Sequence, residues 1–298
     1  MSNKYLRLGY TESDLLFTYY IVNISPKKID IMKDENLKLN TETMLNWFYS
    51  TSGFYDKSIS HINIQCFFSI NFVNYMKKIE EIIIKESTKC LLLFHDYLKD
   101  YYYYFGEFVE YFKDKVFCEV WYHDLNNFRV DVEKYCNVNK FIENKRVLII
   151  NPISELLCEQ FKTGNVYKLN KEINNDEFPP VKNIIFYKNI YTFFNDGPDQ
   201  NISETFYTLC KEISNIKEDY DCVLISCGAY SCLIASFISN KLNKDVFVIG
   251  GTLNNIFGLK TQRFREHQPE FIYNEYWVDI PENLKPINYK KIENGCYW

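Results

Sequence analysis

Apolar and polar positions change rhythm along this chain, and the changes mark its elements. Residues 223–226 form a short apolar run rich in β-branched side chains, the mark of a buried strand. Cys227-Gly228-Ala229-Tyr230 breaks the run. Beyond it Leu233, Ile234, Phe237, Ile238 and Leu242 recur on one helical face. Residues 246–249 are a second strand, ending on Gly250-Gly251. Strand, small-residue turn, helix and strand make one βαβ unit of a parallel sheet. The same patterns predict strands at 5–8, 90–94, 116–122, 146–150, 166–169 and 183–187. Helices are expected over 15–22, from Asn40 or Thr41 to Tyr49, along the face Phe72, Met76, Ile79 and Ile83, and over 101–112 and 128–143. Two more follow caps at Asn151-Pro152 and at Ser203. Residues 26–39 read as polar loop. The fold class is α/β: a Rossmann-like, parallel or mostly parallel sheet flanked by helices. It forms one unit, with an N-terminal half 1–143, a nucleotide-binding half 144–265 and a C-terminal tail 266–298.

No charge interrupts residues 222–240, nearly enough for a membrane helix. Four serines, a glycine and a shift of period inside that run favour strand, turn and helix instead. A 47% hydrophobic and 24% charged composition is that of a soluble globular protein. Net charge is -5 without a basic stripe, which argues against a dedicated nucleic-acid binder. The ten cysteines are scattered, lack C-x-x-C, and include Cys66, Cys90 and Cys222 inside apolar runs. Buried reduced thiols are expected, with no zinc spacing. The first residues hold no apolar signal segment, so the expectation is a cytoplasmic protein without a transmembrane segment.

Chemistry is expected where the strands end. Residues 9–12, 95–96, 151–154, 228–230 and 250–252 would converge on one edge of a shared sheet, where such sheets bind ligands. Helix N-termini there suit phosphate, and Lys260 and Arg263 can add charge-assisted contacts. The residues singled out for binding are Arg7, Gly9, Asn151, Ser154, Gly228, Tyr230, Gly250, Gly251, Thr252, Lys260 and Arg263. Glu12 and Asp96 are the candidate catalytic carboxylates. A nucleoside diphosphate fits this set better than a neutral ligand. The missing G-x-G-x-x-G lowers the case for NAD or FAD. Plain roles compete: the glycines allow tight turns, Glu12 complements a helix dipole, and His95-Asp96 ends a strand. Asp219-Tyr220-Asp221 has the D-x-D form of many glycosyltransferase metal sites, but it precedes its strand and so lies at the wrong edge.

Four blocks together resemble a known family. Arg7, Gly9 and Glu12 fit R-x-G-x-x-E, and residues 147–153 fit a V-L-(I/V)-x-x-P-(F/I) strand-turn. Residues 228–263 carry G-A-Y and then G-G-x-x-x-x-x-F-G-x-K-x-x-R, and residues 294–298 read N-G-C-Y-W. The chain in this respect is similar to the GT-D class of glycosyltransferases, a distinct α/β fold. That resemblance implies sugar transfer from a nucleotide-sugar donor to a hydroxyl of a glycan or other acceptor, often with a divalent metal (Mn²⁺ or Mg²⁺). It implies Glu12 as metal ligand or base. Characterised relatives carry R-F-G-D-G-E in the first block, and here Tyr10 stands where they have aspartate. Two other functions compete: a nucleotide-sugar-binding module without catalysis, which Tyr10 favours, and an S-adenosylmethionine-dependent methyltransferase. The latter needs an acid at the end of the strand after the glycine turn, and Ile249-Gly250 supplies none.

Overall fold

The computed structural model describes residues 2–86, 89–95, 100–101, 103–112, 115–120, 137–169, 178–267, 273–292, 295 and 297–298. Seven strands form one sheet: β1 (Lys4–Leu8), β2 (Lys89–Phe94), β3 (Val116–Val120), β4 (Arg146–Asn151), β5 (Asn183–Lys188), β6 (Cys222–Ile225) and β7 (Asp245–Val248). Their order is β3-β2-β1-β7-β6-β4-β5, and every pairing is parallel. The two halves of the chain therefore share a single sheet, joined where Lys4 and Tyr5 of β1 pair with Val246 and Phe247 of β7. The α/β, Rossmann-like expectation holds at this level.

Parallel strands are covered on both faces, which is why they read as unbroken apolar runs. In β6, Val223 and Ile225 pack into one layer and Cys222 and Leu224 into the other; in β4, Leu148 and Ile150 oppose Val147 and Ile149 in the same way. The first layer holds the helices Tyr10–Asn23, Glu35–Thr51, Ile70–Glu81, Ile202–Ser214 and Ser231–Phe237. The second holds Val138–Ile142, Ser154–Lys162 and Thr252–Ile256. Cys66, Cys90, Cys210, Cys222, Cys227 and Cys232 are buried free thiols, kept inert by burial that raises each pKa where a shift is resolved. No described helix is long and apolar enough to cross a membrane.

Several boundaries differ from the sequence reading, each for a local reason. The second helix begins at Glu35, because Asp34 accepts the Leu37 N–H; Thr41 instead donates to the Leu37 carbonyl at 2.6 Å. Asn201, not Ser203, caps the helix Ile202–Ser214, accepting the N–H groups of Ser203 and Glu204. Asn151 ends β4 and accepts the Ile153 N–H at 2.8 Å, so Pro152 lies in a turn and the helix starts at Ser154. Residues 166–169 are no strand: Gly164, at φ 73°, leads into the 3-10 turn Asn165–Tyr167. Of the helix expected over 128–143, residues 128–136 lie outside the described residues, and the rest is Val138–Ile142 behind an Asn137 cap. The end of the strand expected over 116–122 also lies outside them. Helix Ile70–Glu81 runs on into a π turn that brings Glu86 to Lys4 at 2.7 Å.

Candidate functional site

The chain leaves β1 into the first helical layer and leaves β7 into the second. Between two neighbouring strands whose connections diverge in this way, the carboxyl edge opens into the crevice that ligands of open α/β sheets use. Leu6 and Leu8 of β1 point into the first layer, so alternation puts Arg7 on the opposite face with Tyr5. The guanidinium lies over Gly250: a Cβ there would run into Nη1, and Gly250 has φ +68°. Only glycine adopts that backbone without strain. Burial pushes the Arg7 pKa down; Tyr10, Tyr297 and Glu12 oppose the shift, and Arg263 adds to it. A guanidinium starts so far above neutrality that it stays charged. Arg263 lies 4.7 Å over the Tyr297 ring, and its Nη2 donates to the Tyr297 hydroxyl at 3.5 Å. The chain end is pinned by Trp298, whose indole N–H donates to the Tyr191 hydroxyl at 3.1 Å.

The first block of the resemblance acquires a physical meaning here. Gly9 caps the helix Tyr10–Asn23, and the Glu12 carboxylate folds back over it, its Oε2 only 2.6 Å from where a Gly9 Cβ would stand. Arg7, Gly9 and Glu12 thus form one unit, in which the missing side chain makes room for a carboxylate beside a buried cation. Glu12 also acts electrostatically on the buried Tyr75 and Cys232, so it faces inward as well as toward Arg7.

The other expected binding residues differ in their surroundings. Gly228, at φ +55°, is pressed against the backbone oxygen of Ser52, which also accepts the Ala229 N–H at 2.8 Å. The missing side chain lets this exposed turn close against the end of the helix Glu35–Thr51. Tyr230 is buried in the core, and burial raises its pKa. Asn151 is buried and donates to Asn254 at 3.1 Å, while Ser154 is buried at the start of its helix. Thr252 is buried just after the glycine pair, and its hydroxyl has no hydrogen-bond partner among the described residues. Gly251 is more open: a Cβ would make ordinary contact with Tyr297 at 4.0 Å. Lys260 belongs to a two-stranded ribbon, Leu259–Lys260 with Val278–Asp279, and sits 5.2 Å over the Tyr273 ring. Asp96 lies outside the described residues. Asp219 and Asp221, set aside from the sequence, both pair with Arg146 at the amino edge, at 2.6 and 2.5 Å.

Sequence reasoning missed Asp14, Trp47 and Tyr297, and it placed His95 at the ligand edge but gave it no role beyond ending a strand. Asp14 is buried in the Tyr10–Asn23 helix and holds His95, just past β2, by an Nδ1–Oδ2 hydrogen bond of 2.5 Å. Its other oxygen accepts the His95 N–H at 3.3 Å. The signal was a charge next to the apolar run that begins at Leu15, since an unpaired carboxylate is seldom buried there. Tyr10 and Trp47 flank the imidazole, with ring centres 4.9 and 5.6 Å away.

The divalent metal implied by the resemblance does not fit the described residues. Among them no group of three or more His, Cys, Asp and Glu stands together, Tyr10 replaces the expected aspartate, and Arg7 faces Glu12. Set against known proteins, the chain matches no family model, no curated protein and no solved structure.

Proposed function

We propose that the protein is a glycosyltransferase that moves a sugar from a nucleotide-sugar donor to an acceptor hydroxyl. The observation that carries this reading is the pairing of Arg7 and Arg263, with Tyr10 and Tyr297, at the carboxyl edge between β1 and β7, beside the open backbone of Gly251. Two cations at a topological switch point suit a diphosphate. In the reaction the sugar–oxygen bond to the diphosphate breaks, and negative charge develops on the leaving oxygen. Arg7 and Arg263 would neutralise it, and preorganised charge of this kind is the main electrostatic contribution to such a step. Glu12 would offset part of the Arg7 charge.

The test is nucleoside diphosphate release from a panel of nucleotide sugars, with and without Mn²⁺, alongside thermal shift with the free diphosphates. Turnover of one donor is expected, with a clear rise in Tm for its diphosphate. A rise with S-adenosylmethionine and none with any nucleoside diphosphate would sink the reading. Binding without turnover would leave the non-catalytic module, which Tyr10 favours.

A further inference from the structure

The chemistry of this edge does not stop at Arg7. Tyr10 is an electrostatic neighbour of Arg7 and at the same time a ring neighbour of His95. One continuous line therefore runs from Arg263 and Tyr297 by β7, through Arg7 and Tyr10 at β1, to His95 at β2. Three observations single out its far end. Asp14 is 1% exposed, and both its oxygens are committed to His95, one to the ring and one to the backbone N–H. An ionised carboxylate only accepts hydrogen bonds, so the Nδ1 it holds donates, and in the neutral ring the lone pair lies on Nε2. The imidazole remains partly open, at 16% exposure, while its partner is sealed in. Finally Trp47, on the helix Glu35–Thr51, is 39% exposed and stands beside the same ring as Tyr10. Aromatic faces with one oriented polar group are what a sugar ring needs for recognition.

The geometry points to an acceptor subsite at the carboxyl end of β2, in which Trp47 and Tyr10 hold the acceptor sugar and His95, positioned by Asp14, is its general base. The inference rests on the glycosyl-transfer reading above. The acceptor O–H gives its proton to Nε2 of His95. The acceptor oxygen forms a bond to the anomeric carbon as the bond from that carbon to the diphosphate oxygen breaks. The bonding pair leaves with the diphosphate, and the imidazolium returns its proton to water. A positioned base of this kind contributes roughly 10²–10⁴-fold.

The experiment measures diphosphate release from the nucleotide sugar turned over by the wild type, with methyl glycosides as acceptors. Its variants are His95→Asn, His95→Ala, Asp14→Asn and Trp47→Ala. His95→Asn keeps an N–H where Nδ1 stands, so Asp14 stays paired and the fold is preserved. It should lower kcat by about 100-fold or more and leave the Kd of the nucleoside diphosphate within about twofold, the margin of a mutation outside that contact. Added imidazole should restore turnover to His95→Ala, which a structural role would not permit. Asp14→Asn should lower kcat without imidazole rescue, and Trp47→Ala should raise the KM for the acceptor and not for the donor. Full turnover in His95→Asn, or no imidazole rescue of a folded, diphosphate-binding His95→Ala, overturns the subsite. A wild type that binds no nucleoside diphosphate overturns the glycosyl-transfer reading and this inference together.

Discussion

Adjacent glycines at the end of β7 should respond differently to the same methyl group. Gly250 has φ +68°, and a Cβ there would run into Nη1 of Arg7. Gly251 has φ -59°, and its Cβ would only touch Tyr297 at 4.0 Å. A left-handed backbone at a residue with a side chain costs about 1–2 kcal/mol. Gly250→Ala should therefore lose roughly that much stability, while Gly251→Ala should stay within about 0.5 kcal/mol of the wild type. The functional effect adds to this. The guanidinium must move aside, so its charge-assisted contact with a phosphate, about 1.5–3 kcal/mol, is lost in Gly250→Ala and kept in Gly251→Ala. That is roughly a 10- to 100-fold weaker nucleoside diphosphate for Gly250→Ala. Urea unfolding measures the first quantity and calorimetry the second. Equal stability and equal affinity in the two alanine variants would refute the placement of Arg7 over Gly250 and its role at the ligand.

Gly228→Ala should cost more than Gly250→Ala, about 2–4 kcal/mol, because a backbone oxygen cannot move aside as a side chain can and the Ala229–Ser52 hydrogen bond is strained as well; a change under about 1 kcal/mol in urea unfolding would contradict its packing role. Arg263→Ala should weaken nucleoside diphosphate binding about tenfold or more, and the wild-type affinity should fall as salt is raised; unchanged binding would remove Arg263 from the site. Arg146 holds the Asp221 carboxyl well below the usual carboxylate range. A depressed carboxylate contributes stability above its unfolded value that is lost as pH falls through its folded one, so stability should decline below about pH 4 and Asp221→Asn should flatten part of that decline. The measurement is the urea midpoint against pH, and an identical slope in both proteins would count against the pair.

The sheet was legible because burial on both faces writes each strand as an apolar run, and six of the seven strands fall within one residue of where the pattern puts them, the end expected for β3 lying outside the described residues. The exceptions are instructive. Residues 166–169 are apolar enough for a strand but pair with none among the described residues, and pairing is not a local property. Caps were misplaced where several Asn, Ser, Thr or Asp residues stood within a few positions, since only the hydrogen bond shows which side chain turns back. For the site, the glycines at the β6 and β7 turns were visible, but what fills the space above each was not. Ser52 at Gly228 and Arg7 at Gly250 come from far along the chain. Asp14 and His95 were legible only as residue types, because their pairing needs β2 beside β1.

The stretch that dominates the sequence, residues 221–263, is therefore not where most of the candidate chemistry stands. Its first turn serves packing, and its second supplies open backbone to groups carried by β1. That strand is hydrogen-bonded on both sides, to β2 and to β7, and joins the two halves of the sheet. A cation at its end is held by the sheet and not by a loop. Because Tyr5 pairs with Phe247 on one side and Lys89 on the other, the registers of both neighbours are fixed relative to Arg7. The Gly250 turn and the His95–Asp14 pair are then held at set distances from one guanidinium. Charge placed in advance, with no reorganisation left for the moment of bond cleavage, is the condition under which electrostatics accelerate a transfer most.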